Sequence, residues 1–151
     1  MDPHIRKVAP EELIPELLTL LDQAESVPLT ITGSSMTPFL VHGRDTVFLS
    51  KVTRPLKKGD MILYQRRNGR YILHRICRVH PDCYDLVGDA QTEIESGIRP
   101  EQVLAIVNTV RHKGKILSHG SFWWNFFEGF WLRVIPLRPV IRRVYSLFFR
   151  K

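Results

Sequence analysis

The dipeptide Asn68-Gly69, set between the apolar runs Met61–Gln65 and Tyr71–Val79, constrains this chain more than any other feature. Asn-Gly between two apolar runs is the strongest short-range signal of a hairpin. A hairpin over 61–79 is therefore predicted. Similar signals recur on both sides. In 28–32, Leu29 and Ile31 alternate with Thr30 and Thr32, the two-residue period of a half-buried strand. A strand over 45–49 follows the turn His42-Gly43-Arg44-Asp45, and a short one over 84–89 ends in Gly88-Asp89. Residues 90–99 read as a polar stretch. Strands over 101–110 and Lys115–Ser118 are expected to close the sheet around a turn at 111–114. Many short strands spaced by Gly-containing turns predict a mainly β, antiparallel domain.

The ends of the chain are helical in pattern. Residues 10–25 place Leu13, Leu17, Leu20 and Leu21 on one stripe. Pro10, Glu11 and Glu12 suit a first turn, where acids complement the helix dipole. Pro15 either belongs to that turn or delays the start. The expected organisation is an N-terminal helical segment at 1–27, a β domain at 28–120 and a C-terminal tail at 121–151.

Charge and aromatics are concentrated in the tail. Residues 111–151 carry nine Lys/Arg and one acid, Glu128, whereas the first 110 residues carry 13 basic and 14 acidic side chains. Ten of the fifteen aromatics lie after residue 120. Trp123, Phe127, Phe130, Trp131 and Val134 are predicted on one helical face, and Pro136 and Pro139 interrupt the pattern. Ile141, Val144, Tyr145 and Phe148 then form a second stripe beside Arg142, Arg143, Arg150 and Lys151. A basic amphipathic helix rich in Trp and Phe suits an anionic membrane surface. A partner protein, or burial on the chain's own β domain, are the other occupants such a face admits.

No window of 18 apolar residues predicts a membrane span. The mixed charges of residues 1–10 do not resemble a secretory signal peptide. The expected location is cytoplasmic or peripheral to a membrane. Cys77 and Cys83 are expected as two reduced thiols, since two cysteines make no disulfide framework and His80 alone would not complete a metal site. No metal or cofactor is expected.

Chemistry centres on Gly33-Ser34-Ser35-Met36-Thr37-Pro38-Phe39-Leu40, between the strands at 28–32 and 45–49. Ser35 lies at a strand-to-turn junction, where a hydroxyl can project into a groove. Pro38 fixes its own φ and biases Thr37 toward extended backbone. Gly33 permits a positive φ or a close approach. His42 is near in sequence, but a turn histidine is more often solvated than catalytic. His74 lies in the middle of an apolar strand, where a histidine is more often packed than reactive.

Four boxes in order carry a resemblance across about residues 30–110. Ser35-Met36-x-Pro38-x-Leu40 resembles the nucleophile box of the type I signal peptidases, within the signal peptidase/LexA-type serine peptidase superfamily. Lys58-Gly59-Asp60-Met61-Ile62-Leu63 resembles the strand that follows it. Leu73-His74-Arg75-Ile76 resembles the box of the ER-type and archaeal branch, in which His replaces the Lys general base. Gly88-Asp89 resembles the later Gly-Asp box. Gly33 stands where the family has a Ser that helps bind the oxyanion, and Ala90-Gln91-Thr92-Glu93-Ile94-Glu95 departs from the family's continuation. The family's N-terminal membrane helix is not found in the sequence.

The resemblance implies a signal-peptidase/LexA-like β fold and a serine endopeptidase that removes a leader or signal segment from a peptide precursor. Ser35 would be the nucleophile and His74 the general base, with Asp89 as the orienting acid and Glu93 and Glu95 as alternatives. The Ser35 N–H, with the Ser34 hydroxyl, would face the oxyanion. Met36 and Pro38 would belong to the substrate groove, where an extended peptide adds to a sheet edge. The DNA-binding domain of LexA-type relatives is not found, so nucleic acid is not an expected partner. The reading from a different class is a catalytically inactive scaffold kept for peptide binding or dimerisation.

Overall fold

A computed structural model describes residues 10–149, so residues 1–9 and the tail's Arg150 and Lys151 lie outside it. The centre is one antiparallel sheet that does not close into a barrel. Its strands are β1 (Val27–Thr30), β2 (Thr46–Ser50), β3 (Met61–Gln65), β4 (Tyr71–Val79), β5 (Tyr84–Val87), β6 (Glu95–Ile98), β7 (Val103–His112) and β8 (Lys115–Ser118). The spatial order is β1-β2-β7-β3-β4-β5-β6, with β8 paired to β7. The long β7 pairs with β2 along one edge and with β3 and then β8 along the other. The hairpin read from Asn68-Gly69 joins β3 and β4, with Met61 opposite Arg75 and Gln65 opposite Tyr71.

The two-residue period of β3 divides its side chains between two cores. Met61 and Leu63 enter one cluster, while Ile62 and Tyr64 enter the other. The larger cluster is covered by helix α1 (Pro10–Leu21) and by aromatics of the C-terminal segment. The inner side of α1 is Ile14, Leu17, Leu18 and Leu21, whereas Leu20, predicted on that stripe, is exposed. Pro15 lies within the helix.

β6 occupies part of the stretch read as polar and loop-like. Its sequence, Glu-Ser-Gly-Ile, carries no apolar alternation, and among the described residues it is an edge strand paired with β5 alone. Cys77 and Cys83 are both free, and the Cys77 Sγ–H contacts the Asp85 carbonyl.

The tail folds as α2 (Phe122–Asn125), a π turn (Phe126–Phe130), α3 (Trp131–Arg133) and, after Ile135–Leu137, α4 (Arg138–Phe149). Trp124, Phe127 and Trp131 are buried in the larger cluster, with Phe39 stacked 4.9 Å from Phe127. Trp123 and Phe130, predicted on the same face as Phe127, are exposed instead. Trp124, Phe127 and Trp131, spaced i, i+3 and i+7, are also a regular helical stripe, so spacing alone does not choose between it and the stripe through Trp123 and Phe130.

Candidate active site

The Ser35 turn is built from its neighbours. Gly33 has φ 82°, a left-handed conformation that glycine adopts without steric cost. Its N–H donates to His42 Nδ1 at 2.9 Å, so His42 supports the turn through an unprotonated ring nitrogen. Thr37 donates to the Ser34 carbonyl through both its N–H and its hydroxyl. Met36, Phe39 and Leu40 are buried beneath the turn, while Ser34 and Pro38 are exposed and Ser35 is half-buried. The Thr37–Pro38 peptide bond is cis. Beyond the turn, buried Asp45 receives the Val41 and Lys113 amides and the Arg44 guanidinium. Burial would raise its pKa, but these donors outweigh burial and lower it to about 2.

Three segments distant in sequence converge at Gly88. A methyl group on Gly88 would lie 2.5 Å from the Ser35 carbonyl oxygen, 2.9 Å from Gln91 Oε1 and 3.1 Å from His74 Nε2. Only a residue without a side chain lets the Ser35 turn and the His74 ring close on the end of β5. The Ala90 N–H donates to the Ser35 carbonyl at 2.9 Å and fastens the two loops. No hydrogen bond joins Ser35 Oγ to His74 Nε2, and among the described residues neither the Ser35 amide nor its hydroxyl has a partner.

On the other side of the His74 ring, Nδ1 lies 3.4 Å from the Tyr64 hydroxyl, which in turn donates to Glu95 Oε1. Arg66 braces Glu95 through Nε at 2.8 Å. Burial, then the bond to Glu95, push the Tyr64 phenol far above its ordinary range, so it stays protonated. Its one proton goes to Glu95, which leaves its oxygen to accept from His74 Nδ1–H. That tautomer places the free lone pair of His74 on Nε2, toward Gly88 and the Ser35 turn. Burial pushes the His74 pKa down to about 4, against the upward pull of Glu95, so the ring is neutral at neutral pH.

Asp89 does not serve as the orienting acid in this geometry. Its carboxylate takes a bidentate pair from Arg75 at 2.9 Å, with both side chains fully buried. Successive residues of a strand point to opposite faces. His74 lies opposite Ile62 on the smaller-cluster face, while Arg75 faces the larger cluster beneath Phe39. The acid that reaches His74 is Glu95, one of the two named alternatives, through Tyr64, which sequence reasoning missed. Glu93 lies at the surface between the 88–91 turn and α4. Tyr64 sits two residues after Ile62 on the strand facing His74, but its hydroxyl becomes informative only with the β5–β6 register, which places Glu95 opposite Leu86.

Beside the site, Ile31, Thr32, Gly33, Ser35, Met36 and the start of β4 line a cleft of about 140 Å³. β5 pairs with β4 only from Arg75 onward, so one edge of Tyr71–His74 carries no strand among the described residues. β1, across the cleft, is an outer strand of the sheet.

The 88–91 turn is held from behind by the tail. Its four consecutive carbonyls accept, in order, from Arg138, Trp131, Arg142 and Arg138. Among the described residues no group of three or more His, Cys, Asp or Glu could hold a metal ion. Comparisons with protein-family models, with characterised proteins and with solved structures returned no match.

Proposed function

We propose that this chain is a serine endopeptidase of signal-peptidase type that cleaves a leader or signal segment from a peptide precursor. The observation that carries the reading is the convergence of the Ser35 turn and a neutral His74, its Nε2 directed inward, on the side-chain-free surface of Gly88.

The chemistry runs as follows. His74 Nε2 takes the Ser35 hydroxyl proton as Oγ attacks the scissile carbonyl carbon. The Ser35 N–H, which has no internal partner among the described residues, is available to the developing oxyanion. One such donor is typically worth about 3–4 kcal/mol of transition-state stabilisation. The imidazolium then gives its proton to the leaving amine, and water releases the acyl group by the same route. Tyr64 and Glu95 keep Nδ1 protonated throughout, the part that an aspartate plays in the usual triad. The precursor lies extended in the cleft, pairing with the free edge of Tyr71–His74 or with β1. Met36, buried at the cleft floor, limits its depth and favours small side chains beside the cut.

A fluorophosphonate probe needs no knowledge of the substrate and tests this directly. Labelling is expected at Ser35, with Ser35→Ala unlabelled and His74→Ala labelled far more slowly. Labelling that persists in Ser35→Ala overturns the assignment.

The second reading is a peptide-binding module that uses the same cleft without chemistry. It is favoured by the missing Ser35–His74 hydrogen bond. It predicts no labelling of the wild-type chain and retained peptide binding in Ser35→Ala.

A further inference from the structure

We infer that the outer face of the C-terminal helices is a docking surface for an anionic lipid bilayer, on which the protein lies without crossing it. This stands independently of the peptidase reading, because it rests on a different part of the molecule.

α4 divides into arcs at 100° per residue. Arg138 and Ile141 face inward, the arginine buried in the 88–91 carbonyls and Ile141 against the larger core. Val140, Val144, Leu147 and Phe148, spaced i, i+4, i+7 and i+8, form an outward apolar arc. Leu147 and Phe148 are 72% and 80% exposed. Arg143 flanks this arc, Arg142 reaches back to the Ala90 carbonyl, and α4 holds no acid. The preceding segment adds Phe122, Trp123 and Phe130, a chain of edge-on and tilted rings completed by half-buried Phe126. The aromatics that need burial for the fold (Trp124, Phe127 and Trp131) already have it, so the exposed ones are surplus to the core.

Charge selects the occupant. The tail from residue 121 onward carries six Lys/Arg, of which Arg138 is buried, and its one acid, Glu128, is already near Lys57 and His119. A symmetric pair of such tails would bring two cationic surfaces together, which disfavours a second copy. An anionic bilayer answers both properties, since cations add attraction to acidic headgroups while Trp, Phe and Leu enter the interface. No helix among the described residues is long and apolar enough to cross a membrane, which fits a helix lying in the interfacial plane.

The test is flotation of the full chain with phosphatidylcholine vesicles, with and without phosphatidylglycerol. Binding is expected only with the anionic lipid, and is expected to weaken as salt rises. Leu147→Glu and Phe148→Glu, both at exposed positions, should each lower partitioning roughly tenfold or more by removing inserted apolar surface. Arg143→Glu should lower it by a smaller factor. Far-UV circular dichroism of each variant checks the fold, and the three substitutions are independent of one another. Flotation that ignores lipid charge overturns the inference, as does wild-type flotation of both Leu147→Glu and Phe148→Glu. A chain that ignores vesicles but dimerises, or binds an acidic protein through Phe148, also overturns it.

Discussion

His74 and Arg75 are adjacent on β4, yet they belong to two differently built regions. Arg75 turns into the larger core and closes with Asp89 in a fully buried, bidentate pair. His74 turns to the other face and ends a chain of shared protons, Glu95 to Tyr64 to Nδ1, with its second nitrogen left unbonded beside the Ser35 turn. The first pair has all its charge satisfied and no route to solvent. The second keeps one lone pair in reserve. Two carboxylates near one histidine thus divide their work: Asp89 holds the strand ends together, and Glu95 is the one positioned to tune the ring.

If that division holds, damage on one face should spare the other. The largest effect is expected from His74→Ala, which should slow acylation of Ser35 by about 10²–10⁴-fold, the usual worth of a general base. Its thermal midpoint should hardly fall, and fluorophosphonate labelling with parallel melting curves reads both. Asp89→Ala should act in the opposite sense. Leaving Arg75 buried and unpaired is expected to cost about 3–5 kcal/mol of stability in urea unfolding. If Asp89→Ala instead stayed stable and lost labelling, the two roles would have to be exchanged.

Acid should strike the His74 face next. The folded pKa of about 4 lies below the ordinary 6.5, so folding favours the neutral ring. This contribution is complete above pH 6.5 and is lost as pH falls from 6.5 through 4. The gap corresponds to about 3 kcal/mol. Urea midpoints of wild type and His74→Ala, close at neutral pH, should diverge across that window as the wild type falls below the variant, and parallel curves would refute the assignment. Gly88→Ala sharpens the comparison at the junction of the two regions. Its methyl group would meet the Ser35 carbonyl at 2.5 Å, a backbone contact that cannot rotate away. An overpacking cost of about 1–3 kcal/mol is expected, with slower labelling. Tyr64→Phe should be the mildest. It keeps the ring in the core and the Arg66–Glu95 pair intact, but frees the tautomer of His74. A roughly tenfold loss in labelling rate, with a shifted acid limb and nearly wild-type stability, is the expected result.

Much of the sheet was legible because its signals are local. The β3–β4 hairpin follows from Asn68-Gly69 between two apolar runs, and β8 follows from the short run after Lys113-Gly114. The positions of Ser35, His74 and Gly88 were visible as separate boxes, while their convergence is a property of register. β6 escaped notice because an edge strand needs little apolar patterning. Glu95 therefore read as one acid among several in a polar stretch. Tyr64 escaped for a related reason: its ring reads as core, and only the neighbour across β4 and the acid from β6 give its hydroxyl a role. In the tail, the stripes through Trp123 and through Trp124 both have regular helical spacing, and only the packing of the segment against the sheet chooses Trp124.

The four carbonyls of the 88–91 turn have a consequence for how the protein is made. Three of their four bonds come from arginines 47 to 52 residues later in the chain. Synthesis is vectorial, and early segments compact before late ones emerge. The strands carrying Ser35, His74 and Gly88 are all translated well before the tail that seats their turn. A nascent chain therefore carries Ser35, His74 and Gly88 for some time without the brace, and their turn is seated only after the arginines of α4 have emerged.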